Sequence, residues 1–229
     1  MRPPTPCHPS SLDKLGMTKA AKFLRSLSSF AAKPISVSRE KIILASASPR
    51  RRELLGGMGI SFEAVTAQVR ELDAESSPQL APLDLAMENA RRKAEAVTAL
   101  RPGRWVLGAD TVVALEKMVL GKPDSLERAR DFLARLSGRT HEVITGCALL
   151  DPNGEAEIFD EVSRVTFHVL SDEVIGRYLA EVDVLDKAGA YALQERGEWI
   201  IQCVEGSRAN VIGLPIEALE KVFIRRGLL

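Results

Sequence analysis

The sequence has few aromatic residues, no surplus of charge and no long apolar stretch, and each absence excludes a class of protein. Aromatic residues make up only 5% of the 229 residues, which disfavours the stacking platforms that bind single-stranded nucleic acid. Basic and acidic residues both number 31, so the chain lacks the basic surplus of a typical nucleic-acid-binding domain. No run of about 18 apolar residues offers a membrane-spanning helix. We therefore expect neither nucleic acid nor a membrane as partner.

The basic residues are unevenly distributed, because the first 39 residues hold seven of them and a single acid, Asp13. This stretch also contains seven serines, and an Arg- and Ser-rich, acid-poor composition is typical of organelle transit peptides. The alternatives are a disordered tail or an upstream start codon, with Met17 as the natural start. We predict a disordered leader over residues 1–39 and one domain over residues 40–229. A cytoplasmic location is expected, or an organelle if the leader is a transit peptide.

Helical and strand patterns alternate from residue 41 onward, and this alternation predicts an α/β fold. Apolar residues recur at helical spacing over 82–100, whereas Trp105–Leu115 is a strongly apolar run that predicts a strand. Asp151–Gly154 is a hairpin signal between two β-rich runs, so the sheet should be mixed. The other predicted elements are strands at 41–46, 62–65, 118–120, 143–150, 157–169 and 198–204, and helices at 49–56, 125–136, 171–180 and 215–224.

The junction between the first strand and the helix that begins at Pro49 is the first candidate binding site. Ser48 can cap this helix, and a helix N-terminus suits an anion because of its free N–H groups and positive dipole. Ser46 and Ser48 add hydroxyl donors, and Arg50 and Arg51 add guanidinium groups that match phosphate oxygens in pairs. The alternative is a capped surface helix with solvated arginines, although the dipole disfavours arginine in a first turn. The segment predicts phosphate binding without a Walker-type or GxGxxG loop.

A carboxylate inside the apolar strand is the second candidate. Asp110 lies within Val106–Leu115, and a buried carboxylate needs a partner or a metal. It could orient a water, act as general base or bind a divalent cation. The alternative is a structural aspartate at a strand end. Glu71, in the loop after the second predicted strand, is a further candidate metal ligand.

Three lysines and one glutamine complete the set of candidates. Lys93 lies on the predicted helix 82–100, Lys122 lies in a loop shaped by Gly and Pro, and Lys187 follows an aspartate. Gln194 ends a stretch of small residues that would let a ligand approach the backbone, and its amide can both donate to and accept from a base edge. The alternatives are solvated surface lysines and a turn leading into a strand. The three histidines share no spacing, so none is assigned to catalysis.

Six segments, in this order and spacing, resemble the Maf family of nucleotide pyrophosphatases, which was once named for inhibition of septum formation. The segments are Leu44–Arg51, Gly108–Val113, Gly121–Pro123, Ser137–His141, Asp186–Tyr191 and Asn210–Pro215. The resemblance covers about residues 41–226 and leaves the leader outside. It implies an elongated fold, similar to that of inosine triphosphatases, with a mixed twisted sheet, flanking helices and two lobes around a central cleft. It also implies a homodimer.

The resemblance further implies hydrolysis of nucleoside triphosphates to the monophosphate and pyrophosphate with a divalent metal, Mg²⁺ or Mn²⁺. Asp110 would be the catalytic base and would bind the metal together with Glu71. Within the family, Arg50, Thr111 and Gln194 match a branch selective for dTTP and UTP rather than one selective for 7-methyl-GTP. The residues that would hold the phosphates are Ser46, Arg50, Arg51, Lys93 and Lys122, beside the Ser48 hydroxyl.

Two other functions stay open from the sequence. One is a regulator of cell division that binds nucleotide without turning it over, which the Asp110 strand and the phosphate-directed cations disfavour. The other is a pyrophosphatase for purines such as inosine triphosphate, which Gln194 and Thr111 disfavour only weakly. For a pyrimidine enzyme, the resemblance suggests removal of modified pyrimidine nucleotides from the nucleotide pool.

Overall fold

The computed structural model describes residues 42–229, which form a seven-stranded mixed sheet flanked by helices. The predicted α/β class with a mixed sheet is therefore confirmed. The predicted leader, residues 1–39, lies outside the described residues. No helix within residues 42–229 is long and apolar enough to cross a membrane.

The elements follow the alternating pattern expected from the sequence. The strands are β1 (Ile42–Leu44), β2 (Phe62–Ala64), β3 (Val106–Leu115), β4 (Met118–Leu120), β5 (Thr140–Leu150), β6 (Ala156–Phe167) and β7 (Ile201–Glu205). The α-helices are α1 (Pro49–Gly57), α2 (Pro82–Leu100), α3 (Leu126–Leu136), α4 (Asp172–Glu181), α5 (Gly197–Ile200), α6 (Arg208–Ile212) and α7 (Ile216–Arg225), and Ala188–Ala190 is a 3₁₀ turn.

The sheet has the strand order β2-β1-β3-β5-β6-β7, and β4 pairs with β3. Strand β1 runs parallel to β2 and β3, whereas β3, β5, β6 and β7 are antiparallel neighbours. On one edge of β3, β1 pairs with Val106 and Leu107 and β4 pairs with residues 113–115. Within the described chain, no strand pairs with residues 108–112 on that edge. The sheet is therefore open beside Asp110.

Helix α2 lies on the sheet at backbone contact, because two glycines leave room for it. A Cβ atom added at Gly146 would lie 2.5 Å from the Met87 backbone nitrogen, and one added at Gly108 would clash with the Ala90 carbonyl oxygen. Gly146 is paired with Asp110 across the β3–β5 ladder, and Gly108 lies on the same strand face as Asp110, two residues before it. The close approach therefore brings the side chains of α2 to the Asp110 carboxylate.

Helices α3 and α4 cover another part of the core. Phe132, Leu133 and Leu136 of α3 pack with Ile175 and Tyr178 of α4 in one buried apolar cluster. This cluster also contains the inward side chains Val113, Val143, Val165 and Phe167 of the sheet. These helices are ordinary amphipathic elements that bury one face.

A few predicted elements differ from the structure near the C-terminus. The strand predicted at 198–204 begins only at Ile201, because Arg196 adopts a left-handed conformation (φ 53°) and Gly197–Ile200 forms one helical turn. Pro215 precedes the last helix rather than being its first residue. The sequence analysis missed α6, a short helix whose N-cap is Ser207, with its hydroxyl accepting from the Asn210 N–H at 3.1 Å.

Candidate active site

A single cleft of about 380 Å³ brings the sequence candidates together, at the open edge of β3. Its walls are the β1–α1 junction, α2, β3 and the segment from Asp186 to Gln194. The candidate residues that line it are Ser46, Ser48, Arg50, Arg51, Glu71, Lys93, Asp110, Thr111, Lys122 and Gln194. Positions that are far apart in sequence thus meet in one cavity, as a substrate site requires.

The N-terminus of α1 forms one wall of the cleft. Ser48 is the N-cap, and its hydroxyl accepts from the Arg51 N–H at 3.4 Å. The Ser46 hydroxyl accepts from the Ser48 N–H at 3.2 Å, which fixes the tight turn before the helix. The predicted cap is therefore confirmed. A capped helix N-terminus at a cleft wall is a favourable place for an anion.

The two neighbouring arginines have different environments. Arg51 is buried, and its guanidinium donates to the Gly213 carbonyl oxygen at 2.8 Å, to the Thr111 hydroxyl at 3.0 Å and to the Ser46 hydroxyl at 3.4 Å. Burial lowers the pKa of Arg51, and the nearby Asp110 carboxylate opposes this effect. Arg51 thus links α1 to β3 and to the turn after α6, so much of its donor capacity is already used.

Arg50, in contrast, reaches across the cleft mouth. Its guanidinium pairs with the Asp186 carboxylate at 3.1 Å. The Lys187 ammonium is also close to Asp186, at 2.8 Å, and to Glu195, at 3.5 Å, and it donates to the Asp183 carbonyl oxygen. Burial raises the pKa of Asp186, but hydrogen bonds from Lys187 and Arg50 outweigh it, and the pKa is lowered. Lys187 therefore holds its own loop, whereas Arg50 pairs with Asp186 across the cleft.

The floor of the cleft holds a lysine between two carboxylates. The Lys93 ammonium lies 2.6 Å from Asp110 Oδ1 and 2.7 Å from Glu71 Oε1. Lys93 and Asp110 are buried, at 7% and 8% exposure. Lys122 lies 3.2 Å from the second oxygen of Glu71. Burial acts to raise the pKa of Glu71, but the charges and hydrogen bonds of Lys93 and Lys122 prevail and lower it to about 2. Glu71 is therefore ionised at neutral pH.

The cleft supplies two carboxylates, Glu71 and Asp110, that a divalent metal could use together with substrate phosphates. Residues 42–229 contain no group of three His, Cys, Asp or Glu side chains arranged to hold a metal ion. Mg²⁺ is commonly held by one or two carboxylates, with water and substrate phosphates as the remaining ligands. Glu71 and Asp110 supply two such carboxylates, and in this structure the Lys93 ammonium lies between them.

The lining of the cleft also includes Gln194, which is exposed, and Tyr191, which is buried. Thr111 is less accessible, and its hydroxyl bonds to Thr145 at 2.9 Å and accepts from Arg51. Thr111 therefore helps to hold the Arg51 guanidinium in place, whereas Gln194 is exposed to solvent.

Sequence reasoning missed two supporting side chains. Asn89 lies one helical turn before Lys93 and donates to Asp110 Oδ2 at 3.2 Å, and a polar residue at i−4 from a buried lysine could have been noticed. His141 is buried, and its Nε2 atom bonds to the Tyr191 hydroxyl at 2.8 Å. Burial lowers the pKa of His141 to about 4, so this imidazole is neutral at physiological pH.

Comparisons with known proteins identify a family for this chain. A family model described as "Maf-like protein" matches residues 41–225. The chain is 48% identical over 180 residues to a protein of Akkermansia muciniphila named "dTTP/UTP pyrophosphatase", covering 79% of this chain and 93% of that one. A protein of Nitratidesulfovibrio vulgaris with the same name is 44% identical over 188 residues, covering 81% and 88%. A solved HAM1 protein from Coxiella burnetii aligns over 81% of this chain and 99% of its own, with 16% identity and a TM-score of 0.46.

Proposed function

Because the chain belongs to the Maf-like protein family, we propose that it hydrolyses dTTP and UTP to the monophosphate and pyrophosphate. The relatives of 44% and 48% identity that bear this activity in their names support the substrate. The structural observation that carries the proposal is the Asp110–Lys93–Glu71 arrangement, which lies in a cleft beside a helix N-terminus and arginines. A cleft that holds both cations and a buried carboxylate suits cleavage of a polyanion.

The triphosphate would lie along the cationic wall of the cleft. Ser46, Ser48 and the N-terminus of α1 would donate to phosphate oxygens, and Arg50 would exchange Asp186 for phosphate. Lys93 and Lys122 would neutralise the charge that develops on the leaving pyrophosphate, which is the largest electrostatic demand of the reaction. Arg51 would act mainly by fixing the β1–α1 turn, because its guanidinium already bonds to three protein oxygens.

Asp110 would serve as the catalytic base. Its carboxylate would orient a water molecule toward the α-phosphorus and accept the proton that the water loses. The bond between the α-phosphorus and the bridging oxygen to the β-phosphorus then breaks, and pyrophosphate leaves. Glu71 and Asp110 would hold Mg²⁺ or Mn²⁺, which would supply further neutralisation of the phosphate oxygens.

Base selection would depend chiefly on Gln194. Gln194 has an exposed amide that can pair with both the acceptor and the donor of a uracil or thymine edge. Arg50 and Thr111 would contribute to this selection, Thr111 through its bond to Arg51. Modified pyrimidine triphosphates would enter the same site. We also propose that residues 40–229 are the catalytic domain, and that the enzyme is a cytoplasmic homodimer.

The test is pyrophosphate release by the full 229-residue chain from UTP, dTTP, CTP, GTP and inosine triphosphate, with Mg²⁺, with Mn²⁺ and with a chelator. We expect metal-dependent release that is fastest with dTTP and UTP. Faster release from inosine triphosphate would favour the purine-type enzyme instead. Nucleotide binding without release from any substrate, by protein shown to be folded, would favour the regulator.

A further inference from the structure

Asn89 is a buried polar residue on the face of α2 that touches the sheet. Its exposure is 3%, and it lies one helical turn before Lys93. Its side-chain amide makes three hydrogen bonds, two with the backbone of Leu72, next to Glu71, and one with the Asp110 carboxylate. Asn89 does not line the cleft itself. A residue so placed can influence the reaction only through its neighbours.

Two of the three bonds hold the backbone next to Glu71. Asn89 Oδ1 accepts from the Leu72 N–H at 2.8 Å, and its Nδ2 donates to the Leu72 carbonyl oxygen at 2.9 Å. This paired contact resembles one rung of a β ladder and fixes both polar groups of one residue. The loop between β2 and α2 has no strand partner at Leu72 within the described chain. The amide of Asn89 therefore fixes the place from which Glu71 reaches Lys93.

The third bond orients the other carboxylate. Asn89 Nδ2 donates to Asp110 Oδ2 at 3.2 Å, while Lys93 occupies Oδ1 at 2.6 Å. Asn89 and Lys93 are four residues apart and thus share one helix face. Because Gly146 lets α2 approach the sheet at backbone contact, both side chains reach the carboxylate from the same side, and its rotation is fixed.

We propose that Asn89 is a positioning residue that holds the Glu71 and Asp110 carboxylates in the relative position that the hydrolysis requires. The proposal rests on the function proposed above, since it assigns to these carboxylates the roles given there. Partners of this kind, which orient groups at a metal site, typically contribute about 10- to 100-fold to metal affinity or activity. A role in positioning predicts a loss in kcat with a smaller change in KM, because Asn89 is not among the residues that line the cleft and so would not touch the substrate.

Two substitutions in the full chain separate the contacts. Asn89→Leu keeps the approximate volume and removes all three hydrogen bonds. Asn89→Asp keeps the acceptor for the Leu72 N–H but places a carboxylate oxygen against Asp110. We expect both variants to lose about 10- to 100-fold in kcat for dTTP. The KM for dTTP should change by less than about threefold, whereas the half-saturating Mg²⁺ concentration should rise by about tenfold.

Ser163→Ala is the matched control for the loss of a buried hydrogen bond. Ser163 is 1% exposed, its hydroxyl donates to the Ser207 carbonyl oxygen at 2.9 Å, and it does not line the cleft. This variant should lose stability but keep the kcat of the unaltered protein. If Asn89→Leu and Asn89→Asp keep kcat and the Mg²⁺ requirement of the unaltered protein, the proposal is wrong. A loss of activity in the Asn89 variants that merely equals their unfolded fraction would also overturn it.

Hydrogen exchange provides a readout that does not depend on turnover. In Asn89→Leu, amides in residues 66–81 should exchange faster than in the unaltered protein, and in Ser163→Ala they should not. Unchanged exchange in Asn89→Leu would refute the positioning role even if activity were lost. Faster exchange in a protein that releases no pyrophosphate from any substrate would instead contradict the proposed function and leave the contact of Asn89 with the loop established.

Discussion

Replacing the buried His141 with glutamine should change how the stability of the protein depends on pH. His141 is 1% exposed and packs edge-on against the rings of Phe167 and Tyr191. Its Nε2 atom bonds to the Tyr191 hydroxyl, and its Nδ1 atom is buried without a hydrogen-bond partner among the described residues. Protonation would therefore place a charge and an unsatisfied N–H in an apolar environment, which is costly.

The size of the stability loss at low pH follows from the pKa of His141, which burial lowers from 6.5 to about 4. Between these two values the unfolded chain binds a proton that the folded chain does not, so the free energy of unfolding must fall as the pH falls. At 1.36 kcal/mol per pKa unit, the loss is about 3 kcal/mol, beginning near pH 6.5 and complete below about pH 4. Glutamine can still bond to the Tyr191 hydroxyl but does not titrate. In His141→Gln, the stability loss caused by protonation of His141 should therefore disappear.

Urea unfolding of the unaltered protein and of His141→Gln at several values between pH 7.5 and 4 measures this difference. The carboxylates that also titrate over this range are common to both proteins, so their contribution cancels in the comparison. His168→Gln is the matched control, because His168 is exposed. We expect the control to follow the unaltered protein and His141→Gln to be relatively more stable at low pH. Parallel curves for His141→Gln and the unaltered protein would refute the reasoning.

Three further substitutions, one of them with a control variant, test other parts of the structure. Gly146→Ala should destabilise the protein by about 2–3 kcal/mol in urea unfolding, since its Cβ would meet the Met87 backbone at 2.5 Å; Gly57→Ala, with nothing within 4 Å, should be near neutral. Asp110→Asn should abolish pyrophosphate release and leave the circular dichroism spectrum unchanged, and near-normal activity would defeat the role of Asp110 as base. Gln194→Glu should change the relative rates for UTP, dTTP, CTP and GTP, and identical ratios would exclude Gln194 from base selection.

The local elements could be predicted from the sequence because their signals are local. Helix α2 was predicted over its full length from the 3.6-residue period of its apolar residues. The cap Ser48 was predicted from residue type and position, and its side chain accepts the expected backbone hydrogen bond. The strand predicted at 198–204 was partly wrong, since a short apolar run does not distinguish a strand from a buried helical turn.

The contacts within the site could not be predicted, because they join residues from distant parts of the chain. The sequence indicated that Asp110 needs a partner, but its pairing with Lys93 depends on how closely α2 packs against β3 and β5. Residue type and position also predicted the same phosphate-binding role for Arg50 and Arg51. Only the fold separates them, because Arg51 is buried against the Gly213 carbonyl oxygen while Arg50 reaches Asp186 at the cleft mouth. The catalytic and binding roles of these residues stay predictions.

The central claim is that the cleft around Asp110 directs water to the α-phosphorus of a nucleoside triphosphate. Hydrolysis of dTTP by the full chain in water enriched in oxygen-18, followed by mass spectrometry of both products, tests it most directly. The account predicts that dTMP carries one labelled oxygen and that pyrophosphate carries none. Label in pyrophosphate, or release of orthophosphate with dTDP, would contradict it.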